Sequence, residues 1–111
     1  MAKARVLNIV ATECVPEDDA NFNKWYDEVH IPMLFKNKNL KKVTRYKVAT
    51  QKGEKPRYMA IYEYDTREAL NAFPASPEFK AAIEEMQETQ KSCKFEIKGA
   101  TICEPIKTWE R

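Results

Sequence analysis

Residues 57–73, RYMAIYEYDTREALNAF, change periodicity halfway along, and that change sets the class of fold. Tyr58, Ala60, Tyr62 and Tyr64 alternate with Met59 and Ile61, so RYMAIYEYD reads as a strand with one tyrosine-rich face and one aliphatic face. From Asp65 the pattern turns helical. Asp65 and Glu68 form a D-x-x-E pattern of the capping-box type, and Leu70 and Phe73 make an apolar edge. SPEF then restarts a helix, with Ser76 as N-cap and Pro77 at the first helical position. Phe79, Ala82, Ile83 and Met86 supply its buried stripe.

Toward the N-terminus, residues 4–13 read as another strand, with Leu7, Ile9 and Ala11 on one face and Val6, Asn8, Val10 and Thr12 on the other. Both faces are mostly apolar, as expected of a strand covered on both sides. PEDDANF carries acidic residues that suit a helix N-terminus. Phe22, Trp25, Tyr26, Val29 and Met33 follow at helical spacing. Pro32 disfavours a helical Ile31, so this helix is expected to end at or just after His30. A basic loop, KNKNLKK, leads to a strand at about residues 42–50, and QKGEKP returns the chain to the third strand. A last strand covers roughly residues 94–104, ahead of a tail ending in Trp109.

The order β-α-β-β-α-β is α+β and ferredoxin-like, with a four-stranded antiparallel sheet. Two helices cover only one sheet face. The other face would be an apolar patch in water, and a second copy packed sheet to sheet removes it, so a homodimer is expected.

With 111 residues the chain is read as one domain, 1–111, with no room for a second core. Hydrophobic residues at 43% and charged residues at 32% indicate a packed globule rather than disorder. The net charge is only +2 and the basic residues are scattered, unlike a nucleic-acid binder with a basic face. No apolar run approaches the ~20 residues that span a membrane. MAKARVLNIVATEC is broken by Asn8 and closed by Glu13, and so suits a first strand better than a signal peptide. Cys14, Cys93 and Cys103 are odd in number and form no CxxC pair, which argues against a disulfide framework and a zinc site. Reduced thiols in a cytoplasmic protein are expected. Two glycines cannot build a phosphate-cradling loop.

His30 is the only histidine, and imidazole exchanges protons most readily near neutrality. Asp27 and Tyr26 lie three and four residues earlier, within reach on a helix surface. A histidine near a helix C-terminus is also favoured by the dipole without any catalytic role. Arg45 could hold a carboxylate or phenolate, or pair with Glu63 or Glu104 across strands. Tyr58, Tyr62 and Tyr64 could bind a flat ligand and donate to a developing oxyanion, with Tyr62 best placed, or could simply pack. Asn8 interrupts an apolar face and needs a partner if buried, either a ligand carbonyl or a neighbouring strand. Lys36, Lys38, Lys41 and Lys42 could guide an anionic substrate or form a solvated loop. Cys14 has no histidine partner in the sequence that would make it a nucleophile.

The stretch NKWYDEVHIPMLF, followed by V-T-R-Y at 43–46, resembles the dimeric α+β-barrel proteins, particularly their EthD-like and REDY-like branches. There a helix ending in W-Y-x-x-x-H-x-P precedes a strand bearing Arg-Tyr. One departure is NKNLKK where relatives often carry a proline-glycine turn. The resemblance implies a ferredoxin-like monomer that dimerises sheet to sheet into an α+β barrel, with a pocket between sheet and helices. It further implies a cofactor-free enzyme, of cyclase, isomerase or monooxygenase type, acting on an aromatic or polyketide-like molecule. His30, Asp27 and Tyr62 are then the expected catalytic residues, with Tyr26, Arg45, Asn8 and Tyr58 contacting substrate and no metal. The alternatives are a non-catalytic carrier of a small aromatic or apolar ligand, and a haem-handling protein with His30 as axial ligand. Fold alone does not choose among them.

Overall fold

The computed structural model describes residues 4–49, 53 and 55–111. Half of the expected QKGEKP connection (Gln51, Lys52 and Glu54) therefore lies outside the described residues. Gly53 within it has a φ of 136°, open to glycine because it has no Cβ.

Four strands, β1 (Val6–Cys14), β2 (Leu40–Lys47), β3 (Arg57–Tyr64) and β4 (Phe95–Cys103), form one sheet in the order β2-β3-β1-β4. Each neighbouring pair is antiparallel. Helices α1 (Asp19–Trp25) and α2 (Ile31–Leu34) follow β1, and α3 (Arg67–Ala72) and α4 (Pro77–Thr89) follow β3. This is the ferredoxin-like β-α-β-β-α-β arrangement that the alternating periodicity predicts.

The alternation of side chains decides what each sheet face does. Tyr58, Ala60, Tyr62 and Tyr64 are all buried beneath the helices. Register places Ile61 opposite Ile9 and Met59 opposite Ala11 on the other face, where no helix lies over them.

Helix α1 does not stop at His30. Residues Tyr26–His30 form one wide turn, in which the Ile31 N–H donates to the Tyr26 carbonyl five residues back, and the helix continues through α2. The wide turn accommodates Pro32, whose ring would otherwise clash with the carbonyl four residues earlier. It also resets the apolar stripe. Phe22, Tyr26, His30 and Leu34 recur every fourth residue and are all buried, while Val29 and Met33 are only partly buried.

Helix α3 begins one residue later than the D-x-x-E pattern suggests. Thr66 is the N-cap, its hydroxyl accepting from the Ala69 N–H at 3.1 Å, while Asp65 pairs instead with Arg5. Ser76 caps α4 as expected, accepting from the Phe79 N–H at 3.2 Å, with Pro77 in its first turn.

Strand β4 carries a bulge that its sequence hides. Ala11 faces Gly99 but Thr12 faces Ile97, leaving Lys98 as the extra residue. The bulge shifts the alternation, so Phe95, Ile97, Ala100 and Ile102 all turn toward the helix side.

Candidate functional site

Between the sheet and the helices lies a cavity of about 340 Å³. Its floor comes from β1, β3 and β4, and its walls from Leu34, Phe73, Phe79 and Met86 among others. None of the described residues lining it is charged. Its polarity is confined to a few side chains, among them Asn8, Tyr26, His30 and Tyr62.

Those four residues form a seam across a largely apolar space. Asn8 on β1 stands opposite Tyr62 on β3. The Tyr62 and Tyr26 hydroxyls are hydrogen-bonded to each other in a short contact. The Tyr26 and His30 rings meet edge to face, with centroids 5.1 Å apart. His30 in turn stacks on Trp25 at 4.7 Å, and Trp25 Nε1 donates to Glu85 at 2.7 Å, so the imidazole is held by aromatic packing.

Burial sets the protonation of each group. His30 is 7% exposed, and its pKa falls to about 4 because burial disfavours the imidazolium, with the Glu85 charge opposing weakly. It is therefore neutral at neutral pH. Burial raises the Tyr26 hydroxyl and lifts that of Tyr62 well above the usual tyrosine range, so both stay protonated. Two phenols share one hydrogen bond, which leaves one O–H free to donate elsewhere.

Two buried polar atoms here have no hydrogen-bond partner, Asn8 Oδ1 and His30 Nδ1. Buried polar atoms are nearly always satisfied, and an orphan loses of order 1–3 kcal/mol. Both orphans belong to side chains that line the cavity.

Asp27, Arg45 and Tyr58, expected at the same site, form a different cluster outside the cavity lining. Arg45 Nη1 donates to Asp27 Oδ1 and Nη2 to Asn23 Oδ1, each at 2.8 Å. Its guanidinium lies 4.5 Å from the Tyr26 ring centroid and 5.3 Å from that of Tyr58, as cation–π contacts require. The Tyr58 hydroxyl donates to Asp19 and accepts from Asn23. Together these contacts fasten α1 to β2 and β3. Asp27 does not hold His30, because its carboxylate is 59% exposed and engaged by Arg45. Nor does Arg45 pair across strands. Glu63 lies near Arg5 and Glu104 bonds Arg67.

Thr12 and β4 residues Ile97, Ala100 and Ile102 also line the cavity. Thr12 shares a face with Asn8 and was legible from that alternation. The β4 residues were not, because the bulge changes which of them face inward. Cys14 and Cys93 are buried free thiols, and burial with the Asp19 carboxylate pushes Cys14 up to about 12, far from a neutral-pH nucleophile. Among the described residues no three of His, Cys, Asp or Glu gather as a metal site, and no helix is long and apolar enough to cross a membrane.

Several solved structures share this fold. An ethyl tert-butyl ether d (EthD) family protein from Bacillus halodurans C-125 has 20% identity and a TM-score of 0.66, covering 91% of this chain and 99% of its own. A dimeric ferredoxin-like protein from an uncultured marine organism has 22% identity and a TM-score of 0.70, covering 96% and 99%. SnoaB, a cofactor-independent oxygenase from Streptomyces nogalater, has 12% identity and a TM-score of 0.68, covering 97% and 100%. At these identities the likeness is one of fold, and it bears out the expected ferredoxin-like, EthD-like architecture. No curated protein matches the chain. Residues 6–97 match the model of a family described as a domain of unknown function, DUF4286, and the chain belongs to that family.

Proposed function

We propose that the chain is a homodimeric, cofactor-free enzyme that binds an aromatic or polyketide-like molecule in the cavity between sheet and helices, with His30 as the proton-transfer group. The observation that carries this is the pair of unpartnered atoms, Asn8 Oδ1 and His30 Nδ1, in side chains that line an uncharged, largely apolar cavity. A ligand O–H or activated C–H would give its proton to the imidazole. The electron pair left on the ligand would accept a hydrogen bond from the spare Tyr26–Tyr62 proton. That first step is shared by cyclisation, isomerisation and oxygenation by dioxygen. The fold it shares with SnoaB, a cofactor-independent oxygenase, is compatible with this chemistry.

The dimer is supported by the helix-free face of the sheet. Leu7, Ile9, Ala11, Met59 and Ile61 form its apolar centre, and Tyr46, paired with Met59, is 54% exposed. Two pairs of charges near its ends are compensated within the chain, Arg5 with Glu63 and Arg57 with Glu13.

One observation favours a second reading, that of a carrier. A His30 pKa of about 4 makes a weak base, so the ring could serve only as a hydrogen-bonding group. Native mass spectrometry of the purified protein, followed by His30→Ala, separates the two. A dimer with a small-molecule adduct, in which His30→Ala keeps affinity and loses turnover, supports the enzyme. Retention of the adduct with no turnover in either protein supports the carrier. A bare monomer overturns both.

A further inference from the structure

Building on the proposed ligand cavity, we infer that it selects an uncharged ligand bearing a hydroxyl group, and that Asn8 is the residue that enforces this choice. Every described lining side chain is uncharged, so a carboxylate or phosphate entering the cavity would lose its hydration without gaining a counter-ion. Arg45, whose guanidinium lies over the Tyr26 ring, is already committed to Asp27 and Asn23 and lies outside the lining.

Within that uncharged space the unmet atoms set the ligand's polar group. Asn8 Oδ1 is an acceptor only, buried and without a donor. Tyr62 stands opposite Asn8 in the β1–β3 register, and the Tyr26–Tyr62 pair holds one proton beyond its mutual bond. The seam therefore holds an orphan acceptor on β1 and one spare donor on the Tyr26–Tyr62 pair. A hydroxyl both donates and accepts, and so suits both. An ether or a carboxylate only accepts. Either would leave Asn8 Oδ1 unsatisfied, and the carboxylate would add electrostatic repulsion against it.

The test is equilibrium dialysis of the full-length protein at pH 7 with three probes of one ring system: 2-naphthol, 2-methoxynaphthalene and 2-naphthoate. The expected order puts 2-naphthol about tenfold or more ahead of the other two, the scale of leaving one buried acceptor unpaired. Asn8→Leu removes that acceptor. It should lower 2-naphthol affinity to the level of 2-methoxynaphthalene and leave the methoxy compound within about twofold. Asn8→Ala is the companion variant should leucine overfill the strand face, and circular dichroism establishes that each folds. Equal binding of 2-naphthoate overturns the inference, as does an Asn8 variant that keeps the full preference for 2-naphthol. Equal binding of all three probes removes the inference alone. Failure of all three to bind the wild type removes the proposed function as well.

Discussion

Because His30 is buried and neutral, the protein should lose stability in mild acid through this one side chain. In the folded chain its pKa is about 4, against 6.5 ordinarily, because the imidazolium is poorly solvated among Trp25, Tyr26 and the cavity wall. As pH falls, the unfolded chain takes up the proton first, so acid favours unfolding. The contribution is complete above pH 6.5, drains away between 6.5 and 4, and is gone below that window. At 1.36 kcal/mol per pKa unit the full gap corresponds to about 3 kcal/mol, of which about 2 kcal/mol is lost between pH 7 and pH 5. For a chain of this length that is a drop of roughly 8 °C in melting midpoint. Carboxylates also titrate near this range, so the assay is a difference. Wild type and His30→Gln are unfolded with urea at pH 5, 6 and 7 and at one protein concentration. His30→Gln should begin less stable, having lost the stacked ring, but its stability should fall less steeply with acid. Parallel slopes for the two proteins would falsify the assignment of a buried, neutral His30.

Tyr62→Phe should destabilise by ~1–3 kcal/mol in urea denaturation, since it leaves the Tyr26 hydroxyl buried without its partner. An unchanged midpoint would mean that the hydroxyl pair does not form. Arg45→Met should cost ~2 kcal/mol through lost bonds to Asp27 and Asn23 and lost stacking on Tyr26, yet leave 2-naphthol affinity within about twofold. A large fall in affinity would return Arg45 to the binding site. Thr66→Ala should lower stability by about 1 kcal/mol by removing the α3 cap, and Asp65→Ala by less than about half that. The reverse order would restore Asp65 as the cap.

Element order, and which residues of β3 and α4 share a face, were legible because they rest on the alternation of Tyr58, Ala60, Tyr62 and Tyr64 and on the helical spacing of Phe79, Ala82, Ile83 and Met86. Which sheet face the helices cover was not legible from them. Nor was the end of the first helix. Pro32 forbids an ordinary turn, but a wide turn at Tyr26–His30 lets the helix pass it, and no local propensity announces that choice. The same turn sorts the expected site residues into two clusters. Widening a turn keeps residues four apart on one face, so Tyr26 stays beside His30, while Asp27, three residues away, swings toward Arg45. Arg45 itself was ambiguous until register set it opposite Ala60, on the tyrosine face beneath the helices. Asn8 was legible as a polar break in an apolar face, and the unpartnered oxygen gives that break its physical meaning. The inward turn of Ile97 depends on a bulge at Lys98 that only the strand pairing reveals.

The most direct test of the ligand site is a ¹H–¹⁵N NMR titration of the labelled protein with 2-naphthol, followed at backbone amides on both sides of Tyr26. A ligand in the sheet–helix cavity predicts the largest shifts at Asn8, His30, Tyr62 and Ala100, with small ones at Asn23, Arg45 and Tyr58. Shifts centred on Asn23, Arg45 and Tyr58 instead would place the ligand at the charged cluster and contradict the cavity as the binding site.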